Sequence, residues 1–508
     1  MAIIGISCFY HDSAAALISD EGEIIAAVQE ERFSRFKHDS RFPLCSIEYC
    51  ISQAKKYNYE ISTYVYYEKP VRVFMRLLET YFDNAPRGLS SFMPAMKSWI
   101  SDKLFIKETL ISKIKQLDEN FSDNKLYFSD HHFSHAASAF FPSPYEKAVI
   151  LCMDAVGEWV TTSAWIGIEN KIEPIWEINF PDSIGLLYSS FTYYCGFKVN
   201  SGEYKLMGLA PFGEPKYTKL IKENLLELKD DGSFKLNMKF FKYQRGLRMI
   251  SSSFISLFGE RPRKPEDPIS QFYMDIAASI QNVTEEMVVK IAVSLQKKTG
   301  LKHLCLAGGV ALNCVANRKI EELSGFEEIW IQPASGDAGG SLGSALGFLY
   351  HEKGLKRNLI KKEDSMSSAY LGPNFEEKDI CDYLDELKIK FSIHDEKELS
   401  QITAKNLSEG NVVGWFQGRM EFGPRSLGNR SILGDPRIVD MQKRMNIKIK
   451  NRESFRPFAP VILDGFQKEY FNFEGETPYM LITKILDKSF LKKPDQKSDL
   501  YKATSICI

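Results

Sequence analysis

Short apolar runs separated by polar turns open the chain. Residues 2–6, 14–18 and 24–28 are three such runs, and the turns between them are His11-Asp12-Ser13 and Asp20-Glu21-Gly22. Apolar runs of this length between turn residues are typical of buried strands. The pattern therefore predicts three successive strands, joined by tight turns, at the start of an α/β domain.

The same pattern occurs a second time further along the chain. The apolar run 148–153 ends at Asp154, and a polar turn then leads to the run 161–166. Each opening resembles the start of an actin-like nucleotide-binding half, in which the first turn faces phosphate. Two such openings predict an internally duplicated actin-like (ASKHA) α/β domain that binds its ligand between the two halves.

A later stretch adds a candidate phosphate-binding turn. Residues 271–296 have the period of a long amphipathic helix, and the apolar run 304–307 ends in Gly308-Gly309. A strand, a glycine pair and then a helix let backbone N–H groups approach phosphate oxygens. A plain tight turn has the same sequence features, since glycine pairs are common.

Composition divides the chain and narrows the class of function. A Lys- and Glu-rich stretch predicts a linker at 356–370, between a domain at 1–355 and a smaller, arginine-dense α/β domain at 371–508. A net charge of −1 gives no reason to bind nucleic acid or an anionic membrane, and no apolar stretch reaches the roughly 18 residues that span a bilayer.

The N-terminus and the cysteines predict the compartment. The first residues lack the basic start and the cleavage site of a signal peptide. The nine cysteines include no C-x-x-C pair, a pattern typical of free thiols in a reducing environment. We therefore expect a cytoplasmic enzyme.

Three of the eight histidines lie within five residues, at His131, His132 and His135. Residues four apart share one helix face, so His131 and His135 are placed to bind one metal ion together. Asp154 and Asp337, at a strand end and in a glycine-rich turn, are candidates to complete the site. The alternative is a polar helix start with solvated histidines.

Nine sequence blocks, in order, resemble one family, the O-carbamoyltransferases of the nodulation and antibiotic-tailoring type. The blocks are GISCFYHDSAAALI at 5–18, QEERFSRFKHD at 29–39, DHHFSHAASAFFPSP at 130–144, MDAVGEWVTT at 153–162, GEYKLMGLAPFG at 202–213, LAGGVALNCVAN at 306–317, QPASGDAGGSLGSAL at 332–346, GRMEFGPRSLGNRSILGDPR at 418–437 and KNRESFRPFAP at 450–460. The first domain is similar to threonylcarbamoyl-transfer proteins of tRNA modification. The second is similar to their carbamoyl-adenylate-forming (YrdC-like) partner.

The resemblance implies a two-step reaction. The second domain would make carbamoyl-adenylate from carbamoyl phosphate and ATP with Mg²⁺, and the first would pass the carbamoyl group to a hydroxyl of a small-molecule or saccharide acceptor. The family's metal ligands match His131, His135, Asp154 and Asp337, and the ion in related proteins is iron. No nucleic-acid or membrane partner is expected, and a homodimer is left open.

The family motifs also assign roles around the cleft. His11 is the candidate to orient the carbamoyl group or to accept the hydroxyl proton, and Asp12 to orient His11. The candidate nucleotide-binding residues are Lys205, Gly308, Gly309, Asn313 and Gly336. The alternatives are a turn histidine that bonds its own loop, a capping aspartate and a surface lysine.

Seven basic residues lie close together in the sequence of the second domain. They are Arg419, Arg425, Arg430, Arg437, Lys450, Arg452 and Arg456. Arginine binds phosphate through a bidentate fork, and both substrates expected there are polyanions. Arg425, Lys450 and Arg456 are the strongest candidates for a carbamoyl phosphate pocket. The alternative is a basic face with acidic partners or with nonspecific affinity for RNA.

The end of the sequence departs from the family. A further His-Val-Asp-Gly block with an arginine is expected soon after Ser505, but the sequence ends at Ile508. We therefore expect the second domain to be incomplete and its half-reaction to be impaired. Two other functions stay open: a tRNA threonylcarbamoyl transferase or actin-like kinase, and a truncated, non-catalytic remnant that binds nucleotide or metal.

Overall fold

The computed structural model describes residues 1–101, 103–359, 363–473, 475–490 and 506–507. Residues 491–505, after which the further family block is expected, lie outside these residues. In the part of the chain that is described, no helix has both the length and the apolar character to cross a membrane.

The described strands alternate with the helices along most of the chain. The strands are β1 (Ala2–Ser7), β2 (Ala14–Ser19), β3 (Ile24–Gln29), β4 (Ile61–Tyr66), β5 (Leu126–Phe128), β6 (Lys147–Met153), β7 (Val160–Ile168), β8 (Lys171–Asn179), β9 (Leu226–Leu228), β10 (Phe234–Leu236), β11 (His303–Ala307), β12 (Glu328–Ile331), β13 (Val413–Phe416), β14 (Arg430–Leu433), β15 (Thr483–Lys484) and β16 (Ile506–Cys507).

The α-helices range from single turns to one long helix. They are α1 (Glu31–Ser34), α2 (Leu44–Lys56), α3 (Pro70–Asn84), α4 (Leu89–Ser101), α5 (Ile106–Leu117), α6 (His131–Phe140), α7 (Ile184–Tyr194), α8 (Glu203–Leu209), α9 (Thr218–Asn224), α10 (Ser252–Phe258), α11 (Gln271–Thr299), α12 (Cys314–Leu323), α13 (Asp337–Gly347), α14 (Glu377–Glu386), α15 (Glu396–Ser408), α16 (Met441–Arg444) and α17 (Gln467–Phe471).

Two five-stranded sheets repeat one topology. The first has the order β3-β2-β1-β4-β5 and the second the order β8-β7-β6-β11-β12. In each sheet the first three strands of the repeat are antiparallel neighbours, and the last two run parallel to the first. The duplicated actin-like arrangement predicted from the sequence is confirmed, and β1, β2, β3 and β6 lie where the apolar runs predicted them.

Two equivalent helices join the halves. Helix α6 follows the last strand of the first sheet and packs on β6 and β11 of the second. Helix α13 follows the last strand of the second sheet and packs on β1 and β2 of the first. The helices also pack against each other. A Cβ on Gly343 of α13 would stand 1.8 Å from the carbonyl oxygen of Ser134 in α6, so this contact requires glycine.

The predicted linker packs against its neighbours. Arg357 donates hydrogen bonds to the backbone carbonyls of Phe140 and Phe141 at the end of α6, where the last carbonyls of a helix have no intrahelical donor. Asp364 accepts hydrogen bonds from Trp330 and Tyr479, and Met366 is fully buried. The described part of the linker is therefore held both to the domain that precedes it and, through Tyr479, to the segment that follows it.

The region after the linker docks on the first half of the duplicated domain. The guanidinium of Arg419 donates to the carbonyls of Ile25 and Leu371. The amide of Gly423 donates to Gln29, and Arg32 donates back to the Gly423 carbonyl at 2.6 Å. These contacts bring the arginine-dense segment to the edge of the first sheet, beside the turn that carries His11.

Candidate active site

Four predicted metal ligands converge in the buried interior between the two halves. Nε2 of His131 lies 3.2 Å from Oδ2 of Asp154 and 3.7 Å from Oδ1 of Asp337. Nε2 of His135 lies 3.4 Å and 3.6 Å from the same two oxygens. One ligand atom from each residue falls within 4.8 Å of all the others. These four residues are called the His–Asp cluster below.

The duplication explains why residues so far apart in sequence meet. His131 is the first residue of α6 and Asp337 the first residue of α13, so the two occupy equivalent positions in the repeats. His135 follows one turn later on the same face of α6. Asp154 comes directly after β6, as the turn that carries His11 comes after β1. The packing of α6 on α13 therefore brings both helix starts to one point.

The donor set fits a divalent ion of the first transition row. Two imidazole nitrogens and two carboxylate oxygens are ligands that such ions accept. Both ring nitrogens of His135 and Oδ2 of Asp337 are buried without a hydrogen-bond partner among the described residues. Because an unpaired buried polar group destabilises a fold, these atoms are in keeping with a bound ion that they would ligate.

Two further carboxylates support His131. Glu158 accepts the backbone N–H of His131 at 3.0 Å, and an oxygen of Glu68 lies 3.7 Å from its Nδ1. A carboxylate at the second ring nitrogen is the usual way to fix the orientation of a metal-binding histidine. His132 faces away and contacts the Ser163 hydroxyl at 2.7 Å, so it lies outside the cluster.

Charges in the cluster shift its pKa values strongly. Burial acts to lower the pKa of His131, but Asp154 and Glu68 outweigh it and hold that pKa well above its usual range. The pKa of His135 is raised in the same way. Burial acts to raise the pKa of Asp154, yet the two imidazoles hold it well below its usual range.

His11 joins the cluster to a second pair of polar side chains. Its Nε2 lies 3.6 Å from Oδ2 of Asp337, and its Nδ1 contacts Oδ2 of Asp12 at 2.9 Å. The other oxygen of Asp12 contacts Nδ1 of His38 at 2.7 Å. Burial acts to lower the pKa of His11, but Asp337 and Asp12 raise it to about 10.

The glycine turn lies against the same cluster. Gly308 has φ +85°, and a Cβ there would stand 2.2 Å from the Met153 carbonyl oxygen. The backbone N–H of Gly309 points toward Asp154 at 3.4 Å. Asn313 accepts from the Ala316 N–H as the cap of α12, so its side chain has a structural partner. Gly336, directly before α13, has open space around it.

Lys450 and Arg456 meet at a cluster of positive charge that also contains Lys37 of the first domain. Lys37, Arg430, Lys450, Arg452 and Arg456 form this cationic cluster. Burial, followed by the four other members, lowers the pKa of Lys450. The Arg456 guanidinium lies 4.4 Å from the centre of the Tyr204 ring. Lys205 pairs with Glu453 at 2.7 Å and so holds the cationic cluster to α8.

Arg425 lies outside the cationic cluster, beside the glycine turn. Its guanidinium donates to the Leu312 carbonyl at 3.2 Å, and its Nε is buried without a described partner. Leu312 belongs to the turn between Gly308 and Asn313, so Arg425 approaches the glycine turn, and no described contact joins it to Lys450 or Arg456. A phosphate pocket shared by all three residues stays a prediction.

Several residues of the site were not singled out from the sequence. His38 and Lys37 lie within the family block at 29–39, but their contacts with Asp12 and with Tyr204 are formed only by folding. Burial acts to raise the pKa of Tyr204, but Lys37 and Arg456 lower it. From the sequence, these three residues were marked only by their positions inside family blocks.

Curated relatives span most of the chain. An uncharacterized protein of Synechocystis sp. is 54% identical over 484 residues, which cover 94% of this chain and 78% of the relative. Nodulation protein NolNO of Sinorhizobium fredii is 33% identical over 93% of this chain and 66% of its own length. Nodulation protein NolO of Bradyrhizobium diazoefficiens is 33% identical over 69% of this chain and 62% of its own length. The chain thus spans slightly less than two thirds of the two nodulation proteins.

Solved structures show only distant likeness. Component A of (R)-2-hydroxyglutaryl-CoA dehydratase from Acidaminococcus fermentans has a TM-score of 0.36 and 16% identity, over 69% of this chain and 98% of its own. HypF of T. kodakarensis has a TM-score of 0.36 and 12% identity, over 71% of this chain and 49% of its own.

Family models match both parts of the chain. The model described as carbamoyltransferase N-terminus matches residues 2–346, and the model described as carbamoyltransferase C-terminus matches residues 404–498. The first match alone spans more than half of the sequence and includes His11, the His–Asp cluster and the glycine turn. The chain belongs to the carbamoyltransferase family.

Proposed function

We propose that the protein transfers a carbamoyl group from carbamoyl-adenylate to a hydroxyl of a small-molecule or saccharide acceptor. The observation that carries the proposal is the convergence of the His–Asp cluster, His11 and the Gly308–Gly309 turn at one point between the two halves. Metal ligands, a proton-accepting group and a backbone turn open to phosphate are the parts that acyl-type transfer from an adenylate requires.

The donor forms in the second domain, where carbamoyl phosphate, ATP and water yield carbamoyl-adenylate, phosphate and pyrophosphate. Carbamoyl phosphate and ATP are polyanions, and the cationic cluster offers guanidinium and ammonium groups that bind phosphate through charge-assisted hydrogen bonds. Lys450 and Arg456 are the members assigned to this step, and Arg425 is assigned to phosphate at the glycine turn. Mg²⁺ accompanies the ATP.

The transfer step breaks one bond and forms one bond. The acceptor oxygen bonds to the carbamoyl carbon, the bond from that carbon to the phosphate oxygen breaks, and AMP leaves with the electron pair. His11 lies where it can take the hydroxyl proton, and Asp12 holds its Nδ1. Against the effect of burial, the negative charge of Asp337 raises the pKa of His11 to about 10, and a divalent ion held by Asp337 would offset that charge and lower the pKa, so that the neutral ring can accept the proton. A divalent ion in the His–Asp cluster, proposed to be iron, would supply positive charge that holds and polarises the nucleotide phosphate.

Thiol content supports a cytoplasmic location for this reaction. The eight cysteines at positions 8, 45, 50, 152, 195, 305, 314 and 381 form no disulfide bond, as expected in a reducing compartment. The family assignment favours a transferase over the kinase alternative. The net charge of −1 supports an acceptor other than tRNA, because RNA binding relies on neutralising many phosphates.

Separate assays of the two half-reactions test the proposal. The protein is incubated with ATP and labelled carbamoyl phosphate, and pyrophosphate and AMP are measured with and without added hydroxyl compounds. Lys450→Ala should lose pyrophosphate release, whereas His11→Asn should keep it and lose carbamoyl transfer. Formation of ADP in place of AMP and pyrophosphate would identify a kinase and contradict the proposal.

A further inference from the structure

Tyr204, on helix α8, lies between two cations that belong to different domains. The Lys37 ammonium of the first domain donates a hydrogen bond to the Tyr204 hydroxyl at 3.2 Å and lies 4.6 Å from the centre of its ring. The Arg456 guanidinium of the second domain lies 4.4 Å from the centre of the same ring. One half-buried aromatic side chain therefore contacts the basic groups of both domains where they meet.

The loop of the second domain that approaches this ring is fixed on α8 by further contacts. Lys205 pairs with Glu453 at 2.7 Å. The ring of Phe455 lies 6.4 Å from that of Phe197 and 6.2 Å from that of Phe212, on the segments directly before and after α8. The tyrosine ring and the guanidinium are therefore held opposite each other by the packing of the loop, and not only by their own contact.

The backbone connects Lys37 to the residues that flank His11. The residue after Lys37 is His38, whose Nδ1 contacts Asp12 at 2.7 Å, and Asp12 in turn contacts Nδ1 of His11 at 2.9 Å. Lys37 is thus the cation that the first domain contributes to the cationic cluster. It comes directly from the segment that supports the proposed proton acceptor.

The ring of Tyr204 counters the repulsion between these cations. An aromatic face carries negative electrostatic potential and attracts a cation placed over it. Burial acts to raise the pKa of Tyr204, but the charges of Lys37 and Arg456 outweigh it and lower that pKa, as expected for a phenol group that both cations face.

Fixing the two cations matters because both side chains are long. Lysine and arginine have many rotamers, and a side chain that is already held in one of them loses less conformational freedom when it binds an anion. Arg456 has the ring and, at 3.9 Å, Glu453 as neighbours. Lys37 is exposed, and Tyr204 supplies both its hydrogen bond and its ring contact. The loss of Tyr204 should therefore release Lys37 more than Arg456.

We propose that Tyr204 is a positioning residue: its hydroxyl fixes the Lys37 ammonium and its ring fixes the Arg456 guanidinium, so that cations of both domains face one phosphate group. This inference rests on the proposed function, in which phosphate binds at the cationic cluster. It adds a residue that acts through the two cations without contacting the substrate. A role in packing α8 against the second domain alone would leave the hydroxyl dispensable.

Calorimetric titration of freshly dissolved carbamoyl phosphate into the full chain, without ATP or acceptor, tests the inference. Tyr204→Phe keeps the ring and removes the hydroxyl, and Tyr204→Leu removes both. The first variant should weaken binding about threefold and the second about tenfold or more, since the hydrogen bond and the ring contact both fix the cations. Tyr57→Leu is the matched control, because Tyr57 is an exposed tyrosine 5.9 Å from the Lys56 ammonium and outside the cationic cluster. It should bind like the wild type.

A double-mutant cycle with Lys37→Ala shows whether the hydroxyl acts through Lys37. Lys37→Ala should itself weaken binding. If the hydroxyl serves to fix the ammonium, Tyr204→Phe should cause no further loss in the Lys37→Ala background, whereas a packing role would cause the same loss in both backgrounds. Since Tyr204→Phe keeps the shape of the side chain, this measurement decides the matter even where Tyr204→Leu fails to fold.

Three results overturn the inference: no binding of carbamoyl phosphate to the wild type, wild-type affinity in both Tyr204 variants, or equal losses from Tyr204→Phe with and without the Lys37 side chain. The binding assay needs no transfer, so the two proposals can fail separately. If binding depends on Tyr204 but the carbamoyl group is never transferred, the proposed function fails and the inference stands. If transfer proceeds while both Tyr204 variants bind like the wild type, the inference alone fails.

Discussion

At the scale of residues, the site depends on side chains that each contact more than one partner. Asp154 faces two imidazoles, and Asp337 faces the same two as well as His11. Asp12 lies between His11 and His38. The removal of any one of these side chains leaves buried charge without its partner, which costs more than the removal of an exposed ion pair.

The His–Asp cluster should bind one divalent ion per chain. His131→Ala removes one of four ligands and should lower the affinity for the ion at least tenfold. Elemental analysis of purified protein, with iron and zinc titrations, measures this. His132→Gln is the control, because that side chain bonds Ser163 and is not among the ligands. Equal metal content in wild type and His131→Ala would count against the site.

His38 should position His11 through Asp12. His38→Leu removes the contact at 2.7 Å and should lower the transfer rate constant about ten- to hundredfold with little change in KM. His38→Gln, which can still donate to Asp12, should recover part of the rate. Steady-state kinetics of carbamoyl transfer measure both variants. A change in KM alone, or no recovery by glutamine, would show that His38 has only a structural role.

Sequence spacing predicted the contacts between residues that are close in sequence, but not those between residues far apart in sequence. The i,i+4 pair of histidines is a local pattern, and the two aspartates were found because strand ends and glycine-rich turns are recognisable. The contact of Asp12 with His38 joins residues 26 positions apart, through backbone turns with φ of +52° and +56°. No spacing rule predicts that contact.

At the scale of elements, the contact between α6 and α13 sets the distance between the two helix starts. Gly343→Ala would place a methyl group 1.8 Å from the Ser134 carbonyl oxygen and force the helices apart. We expect a loss of stability of about 1–3 kcal/mol or more, together with weaker metal binding. Thermal unfolding and metal titration measure the two effects.

Gly336→Ala is the matched control for this prediction. Gly336 lies one residue before α13 and has extended backbone, and a methyl group added there would have no atom within 4 Å, so alanine should be tolerated. Equal melting temperatures for the two variants would contradict the role given to the close helix contact.

The arginine-dense segment divides into residues with structural partners and residues that face each other. Arg437 pairs with Asp435 at 2.6 Å, and Arg419 donates to backbone carbonyls. Lys450, Arg452 and Arg456 lie in the cationic cluster, where Arg452 also donates to Asn446 at 2.6 Å and Arg456 lies 3.9 Å from Glu453. Composition identified a basic region, but it does not show which cations already have structural partners. That depends on where acidic side chains and backbone carbonyls lie in the folded chain.

Carbamoyl phosphate should stabilise the protein through Lys450. A ligand at about 100 times its dissociation constant adds about 2.7 kcal/mol to the free energy of unfolding. Lys450→Ala should lose most of the rise in melting temperature that carbamoyl phosphate causes, whereas Lys448→Ala, an exposed neighbour, should keep it. Differential scanning fluorimetry measures the shifts. Equal shifts in both variants would remove Lys450 from the phosphate site.

At the scale of the whole molecule, the duplication is the feature that the sequence predicted best. Apolar runs of five or six residues specify strands that are buried on both faces, and their repetition revealed the two halves. The approach of Lys37 to Lys450 and Arg456 in the cationic cluster was not predicted, because these residues are distant in sequence and share no apolar period. Charge clusters of that kind depend on how loops meet in the folded chain.

The identity of the reaction products tests the central claim most directly. The protein is supplied with ATP, carbon-13-labelled carbamoyl phosphate and a mixture of saccharides and sugar phosphates, and the products are separated and identified by mass spectrometry. The account predicts a labelled carbamoyl group on an acceptor hydroxyl, formed together with AMP and absent with Asp337→Asn. A phosphorylated acceptor formed together with ADP, or a labelled product that Asp337→Asn still makes at the wild-type rate, would contradict it.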